Sequence, residues 1–517
     1  MEMYTKKISR ALLLSSFCMA VLAVVLGQDA MAQRMVTVDP GFATLNAAID
    51  SDTTSTGARV DSNTVYVLKS GGLYLLDGSI EHRNYHLSIV AEDGWTERPK
   101  LQPATDGQGG GSSRAFRPRG NLTLSGLYVT NEDELGGLNT RIIRVSENEV
   151  TISLDNCVLE KDGQTAFRFD GDNINLYMTN SVVKNIGSTS SPDNGRVIDD
   201  RGNDIGTLYL ENNTFYNITS QVLRDDGGII KNAHINQNTV YNSAKNTTFE
   251  FVHVIKGSFT NNLMVNSGFL GDNKNDDETQ YNVKVDSLTP EEVTEFGVQS
   301  FTISNNNIMV ESAITAAYPD SAQATTAFNA TVEAYIAEQN SGSTNLNETI
   351  TFTNAPETPT TIVTDFWSEA AEPAEFSTTG APFDFGYTNS ANSFTAGSNG
   401  QQLGSLFWHG GITTSNEDEV INESPNAFVL KGNYPNPFNP STNIAFDLDS
   451  PSSVSIEVFS VIGQKVMSIP AQRMNAGTNQ SIQLNATGLS SGMYIYRVTA
   501  KTASNTLVNI GRMTLIK

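Results

Sequence analysis

Residues 176–183 read LYMTNSVV, 208–215 read LYLENNTF and 233–240 read AHINQNTV. Each octet runs apolar, any, apolar, polar, amide, any, any, apolar. The same text recurs upstream as LTLSGLYV (122–129) and ISLDNCVL (152–159), and downstream around SFTNNLMV (258–265) and TISNNNIM (302–309). Aligning the corner residue places Gly126, Asn156, Asn180, Asn212, Gln237, Asn261 and Asn305 in one column, at spacings of 30, 24, 32, 25, 24 and 44. A unit near 24 residues is too short for a helix pair, and within each unit apolar residues alternate instead of recurring every 3.6. A leucine-rich repeat is excluded because its fixed leucine pattern is absent.

The physical solution is a right-handed parallel β-helix of three short strands per coil, each coil stacked at about 4.8 Å on the last. Leu154, Met178, Leu210, Ile235 and Phe259 then point inward and stack along the axis. Each buried side chain is worth roughly 1.5–3 kcal/mol. The column of corner amides is expected to form an internal ladder, each bond contributing about 1 kcal/mol net.

Working outward, residues 41–50 (GFATLNAAID) place Phe42, Leu45 and Ile49 on one helical face, suited to covering the first end of the hydrophobic column. The text VDSNTVYVLKSGGLY (60–74) reads as the first strand and a tight turn. A second amphipathic stretch around Phe328, Val332, Tyr335 and Ile336 covers the far end or a side, and residues 383–411, rich in Gly and aromatics, wrap the last coils.

The chain of 517 residues carries 56 acidic and 32 basic side chains, a net charge of −24, with no basic run longer than Lys6-Lys7. Nucleic acid is excluded as a partner. Charged residues make up 17%, below the roughly 25% of an average globular protein, as suits a turn-rich β protein. Residues 1–32 have the form of a signal peptide: Lys6, Lys7 and Arg10, an apolar run from Ala11 to Leu26, and the cleavage text Ala30-Met31-Ala32. The run is too short to span a bilayer. Phe17 precedes Cys18, where a lipoprotein needs a small residue, and export leaves Cys157 as the one thiol of the mature chain. No transmembrane span is expected after cleavage.

After a polar linker at 413–425, residues 426–517 change character. Three prolines in YPNPFNP (434–440) open a module of five alternating strands, at 442–448, 454–460, 481–484, 494–500 and 507–516, the pattern of a small Ig-like β-sandwich. The texts YPNPFNPSTNIAFDL, VFSVIGQKV, LSSGMYIYRV and GRMTLIK resemble the type A sorting domain of the type IX secretion system of Bacteroidetes-like bacteria. That resemblance implies the secretion machinery as partner through residues 426–517, and a product released or held at the outer-membrane cell surface. The region 35–409, with its opening helix, amide-ended coils and GSNGQQLGSLFW (397–408), resembles the pectate-lyase-like superfamily. The resemblance implies fold more than function.

Polysaccharide is the substrate class that this second resemblance implies, with calcium held by carboxylates and an Arg or Lys base. Twelve residues before the corners lie Arg144, Arg168, Asp200 and Asp225, in the texts IIRVS, AFRFD, RVIDDRG and VLRDDGG. The candidate metal ligands are Asp199, Asp200, Asp225 and Asp226. The candidate base is Arg224, with Arg201, His253 and Lys256 as further catalytic candidates and Lys231 nearby. Arg196, Arg168 and Arg144 are candidates to grip a substrate carboxylate by paired hydrogen bonds. Outward carboxylates this close would repel by roughly 1–4 kcal/mol per pair, which a cation would reverse. The same residues also read as ordinary ion pairs across strands. The same residues also suit paired Asp acting as acid and base in a hydrolase, or a noncatalytic adhesin using the same face. Elsewhere, Trp95, Trp367 and Trp408 are candidate sugar platforms or packing residues, and Asp272, Asp276, Asp277 and Glu278 form an acidic loop. Cys157, beside a corner amide, reads as a small core residue.

Overall fold

The computed structural model describes residues 34–409 and 428–515, apart from 57–58, 63, 106–113, 276–278, 399, 435–437, 449, 461–464, 491 and 503–505. The expected leader (1–32), the linker (413–425) and three members of the acidic loop, Asp276, Asp277 and Glu278, lie outside the described residues.

Each repeat unit after the first contributes one strand to each of three parallel sheets, and the first to two of them, giving ten, ten and nine strands. The first sheet runs from Arg34–Val38 to Ser300–Ser304 and the second from Gly41–Phe42 to Asn307–Met309. The third runs from Ile80–Arg83 to Thr326–Phe328. This is a right-handed parallel β-helix. In the first sheet Leu154 faces Met178, Met178 faces Leu210, Leu210 faces Ile235 and Ile235 faces Phe259. All five are buried in one continuous core.

The aligned corner residues all adopt the left-handed backbone, with φ between 52° and 71° from Gly126 to Asn305. Asn reaches this region at little cost, which explains its recurrence. The internal ladder, however, is built one position later. Asn213 Nδ2 donates to Asn238 Oδ1 at 3.0 Å, Asn238 to Asn262 at 3.1 Å and Asn262 to Asn306 at 3.1 Å. The same oxygens accept the backbone N–H of Asn213, Asn238 and Asn262. The reason is steric: the left-handed turn directs the corner side chain outward and the following one inward. Cys157 and Ser181 hold this inward position in earlier coils, linked by Cys157 N–H to Ser181 Oγ at 3.0 Å. Burial pushes the Cys157 thiol up to about 12.

A second amide ladder follows the second sheet. Asn185, Asn217, Asn242 and Asn266 are again left-handed and are joined side chain to side chain at 3.1, 3.4 and 3.1 Å.

Helices close both ends. Thr44–Ser51 buries Leu45 and Ile49, while Phe42 belongs to the short strand Gly41–Phe42 and not to the helix. The first strand is Arg34–Val38, ahead of Thr64–Leu68. At the far end Ala330–Gln339, capped by Asn329 accepting from Val332 N–H, buries Val332 and Ile336 in the main core. Ile350, Phe385, Tyr387 and Leu403 then pack on Tyr216, Tyr241, Leu263 and Val265, covering the outer face of the second sheet in its later coils.

Among its described residues the C-terminal module has seven antiparallel strands in sheets of three and four, around Phe446, Ile456, Val458, Tyr496 and Val498. Phe428–Tyr434 and Lys465–Met474 are additional to the five strands read from sequence. The latter is an edge strand, largely exposed and containing Pro470, so it lacks the alternation that marks a half-buried strand.

Candidate functional site

Side chains on the outer face of the third sheet stack coil upon coil. Glu81 faces Arg117, and Ile143 faces Phe116, which sets Arg144 beside Arg117. Arg144 faces Arg168, Arg168 faces Asp199 and Asp199 faces Arg224. Asp199 and Arg224, not Asp200 and Asp225, therefore continue the row begun by Arg144 and Arg168. The cause is one extra residue at Gly206: Ile174 faces Ile205 but Asn175 faces Thr207. Gly suits this bulge, because a Cβ there would come within 2.7 Å of Asn175 Oδ1.

The shift by one residue turns a side chain to the opposite face. Asp200 and Asp225 point into the coil and are 0% and 2% exposed. Asp200 Oδ1 accepts from Gly202 N–H at 3.0 Å and Asp226 N–H at 2.8 Å. Asp225 accepts from Gly227, Val252 and His253 N–H groups at 3.0, 2.7 and 3.3 Å. Burial, and after it the neighbouring Asp225 carboxyl, pushes Asp200 well above the usual carboxylate range. Asp225 is pushed up by burial as well. Asp200 Oδ2 is buried without a hydrogen-bond partner.

Asp199 is held from outside by Arg196 Nη1 at 3.5 Å and Arg224 Nη1 at 3.2 Å, and Arg224 Nη2 reaches Asp226 Oδ1 at 2.5 Å. Asp170 bridges Arg144 and Arg168, the latter at 2.8 Å. Arg201 stands exposed on the turn after Asp200, with φ 58°. His253 Nε2 lies 3.0 Å from Glu292 Oε1. Lys256 is exposed on the first sheet between Asn232 and Ser300, away from the arginine row. The fold thus gathers Arg144, Arg168, Arg196, Asp199, Arg224 and Asp226 on one face, places His253 at its corner, and leaves Lys256 apart.

The four carboxylates expected to hold calcium have these partners and positions. Asp199 is committed to two guanidiniums, Asp200 and Asp225 are inside the coil, and Asp226 is paired with Arg224. Among the described residues no three His, Cys, Asp or Glu converge as a metal site.

Sequence reasoning missed the earlier half of the basic face. Arg83, Arg114, Arg117, Arg119, Arg141, Arg144, Arg168, Arg196, Arg201 and Arg224, ten of the chain's seventeen arginines, lie in third-sheet strands or within two residues of them. The signal was FRPRG (116–120), whose alternation puts Arg117 and Arg119 on one side of a strand. Burial and the surrounding guanidiniums push Arg114 and Arg141 below the usual arginine value.

Away from this face, the C-terminal sandwich has its own core and its own address. Residues 433–509 match the family of secretion system C-terminal sorting domains. This sorting domain marks the chain for type IX export to the cell surface or release beyond it. No helix among the described residues is long and apolar enough to cross a membrane. No curated protein matches the chain in sequence. The sorting domain therefore accounts for delivery, and the chemistry of the cargo rests on the β-helix itself.

Proposed function

We propose that this exported β-helix protein binds acidic polysaccharide along the third sheet. The observation that carries this reading is the succession Arg117, Arg144 and Arg168, outward in adjacent coils, on a chain of net charge −24. Like charges facing each other across strands are destabilising. Glu81 pairs with Arg117 and Asp170 is shared by Arg144 and Arg168, so these three guanidiniums have two carboxylates between them. A polyanion laid along the stack would meet one guanidinium per coil, at steps of about 4.8 Å, with planar donors matched to carboxylates. Arg196 and Arg224 extend the row, with Asp199 holding them in place, and Arg201 stands at its rim.

The test is binding of polygalacturonate against neutral dextran by the purified β-helix protein. Polygalacturonate should bind, weaken with added salt, and lose roughly tenfold or more in affinity on Arg144→Ala or Arg168→Ala. Equal binding of dextran, or unchanged affinity in both variants, would overturn the proposal. Product analysis in the same mixtures separates two outcomes. Unsaturated ends that disappear in Arg224→Ala or His253→Ala make the face a lyase site, and binding without cleavage makes the protein a noncatalytic adhesin.

A further inference from the structure

The second sheet carries a cleft that the arginine face does not use. Its floor is the outer side of three successive coils, where Tyr128 faces Val158 and Val158 faces Val182. In later coils the equivalent outward residues are covered: Tyr216, Tyr241, Leu263 and Val265 lie beneath Phe385, Tyr387 and Leu403. The covering segment ends at Ala381–Phe385 and Trp408, and the opposite wall is the turn bearing Trp95, Glu97 and Arg98. Between them lies a shallow cleft open to solvent, with room of about 90 Å³.

The lining alternates aromatic surface with cations. Trp95 and Trp408 are both half-buried. The Arg98 guanidinium lies 4.9 Å from the Trp95 ring centre and is anchored by Asn156 Oδ1 at 2.6 Å. Lys184, held by Glu160 at 3.0 Å, and Lys100 approach the Tyr128 ring at 5.6 and 5.4 Å. Trp408 is fixed by its Nε1–H donating to Thr214 Oγ1 at 2.8 Å. Pre-positioned rings and anchored donors suit a ligand with a flat apolar face and a polar rim, which is the chemistry of a pyranose ring. The run from the strand Lys100–Pro103 to Thr214–Ile218 spans four coil steps, about 19 Å, so the occupant is a short chain and not a single sugar.

We propose that this cleft binds an oligosaccharide segment, with Trp95 and Trp408 flanking the rings and Arg98 and Lys184 donating to hydroxyl or carboxylate oxygens. It lies on a different sheet from the arginine row and stands or falls independently of it. The full mature protein is titrated with hexamers of cellulose, xylan and polygalacturonate type while tryptophan fluorescence is followed. Two of the chain's three tryptophans line the cleft, and the third, Trp367, is tied to Leu270 O at 2.9 Å in another cluster. At least one hexamer should change the emission, and whether it is neutral or acidic identifies the sugar. Trp95→Ala and Lys184→Ala should each weaken that binding at least tenfold with the melting temperature retained. Arg144→Ala and Arg168→Ala should leave it unchanged. No spectral change with any hexamer at millimolar concentration, or wild-type affinity in both cleft variants, would overturn the proposal. Loss of the emission change in the arginine variants would also overturn it, by assigning the fluorescent response to the third sheet.

Discussion

Asp200 and Asp225 sit where neighbouring coils place hydrophobic side chains. Arg168 faces Asp199 and Asp199 faces Arg224, so the next row inward runs Val145, Phe169, Asp200, Asp225, Phe251 and Val285. An ionised pair in that stack would be strongly penalised, and the raised proton affinity of both groups follows from burial. Raised values mean that the pair keeps its protons to higher pH in the folded protein than in the unfolded chain, where carboxyls titrate near pH 4. The associated stability is fully present in acid and is lost as pH rises through the raised folded value. Asp200→Asn imitates the protonated state: its Oδ1 can still accept from Gly202 and Asp226, and its amide can donate to Asp225. This variant should be more stable than wild type at mildly alkaline pH by on the order of 1–3 kcal/mol, with the difference vanishing near pH 4. Chemical denaturation at several pH values measures this directly. A constant difference across pH would show that the pair does not keep its protons to higher pH in the folded protein.

Among the elements, the inward ladder and the outward corners have different energetics although both are made of asparagine. Removing the Asn238 side chain strands Asn213 N–H, which loses its acceptor, and takes one partner each from Asn213 Nδ2, Leu210 O and Asn262 Oδ1. Each stranded group costs about 1–3 kcal/mol when water cannot replace the lost partner. Asn238→Ala should therefore lower the β-helix melting temperature far more than a typical surface substitution, and hydrogen exchange should quicken first in the coils that contain Asn213 and Asn262. Thermal unfolding and exchange mapping check both parts. The corners were legible in sequence because positive φ selects Asn and leaves a periodic mark. The ladder was misplaced by one residue because periodicity locates a turn without saying which of its side chains points inward. The second ladder left a signal, since 185, 217, 242 and 266 repeat the spacing of 180, 212, 237 and 261 five residues later. The ionic cluster was likewise legible as composition. Its division into inward and outward members depended on the extra residue at Gly206, which counting back from the corner does not detect. The aromatic cleft could not be read, because Trp95 and Trp408 are more than three hundred positions apart and meet only through the returning C-terminal segment.

At the scale of the whole molecule, the coils and the sandwich have separate main cores, with smaller apolar clusters on the β-helix. The first runs without a break from Val38 through the coils to Ile336, closed by Leu45 and Ile49 at one end and Val332 at the other. Each coil is supported by its immediate neighbours, so cooperative stability requires both helical covers but no other domain. The second core, from Phe428 to Leu515, includes no residue of the first. Exchange of apolar surface is therefore completed within each unit, and the sorting domain acts in delivery without being needed to hold the coils together. Deleting 413–517 should leave the β-helix melting transition within a few degrees of its value in the longer chain, while the transition of the sandwich disappears from the calorimetric trace. The same deletion should leave polygalacturonate and hexamer binding unchanged but keep the protein from reaching the cell surface or medium, as fractionation of expressing cells would measure. A β-helix that unfolds on removal of the sandwich would mean that the two cores share stability after all. A truncated chain that still reaches the surface would separate export from residues 433–509.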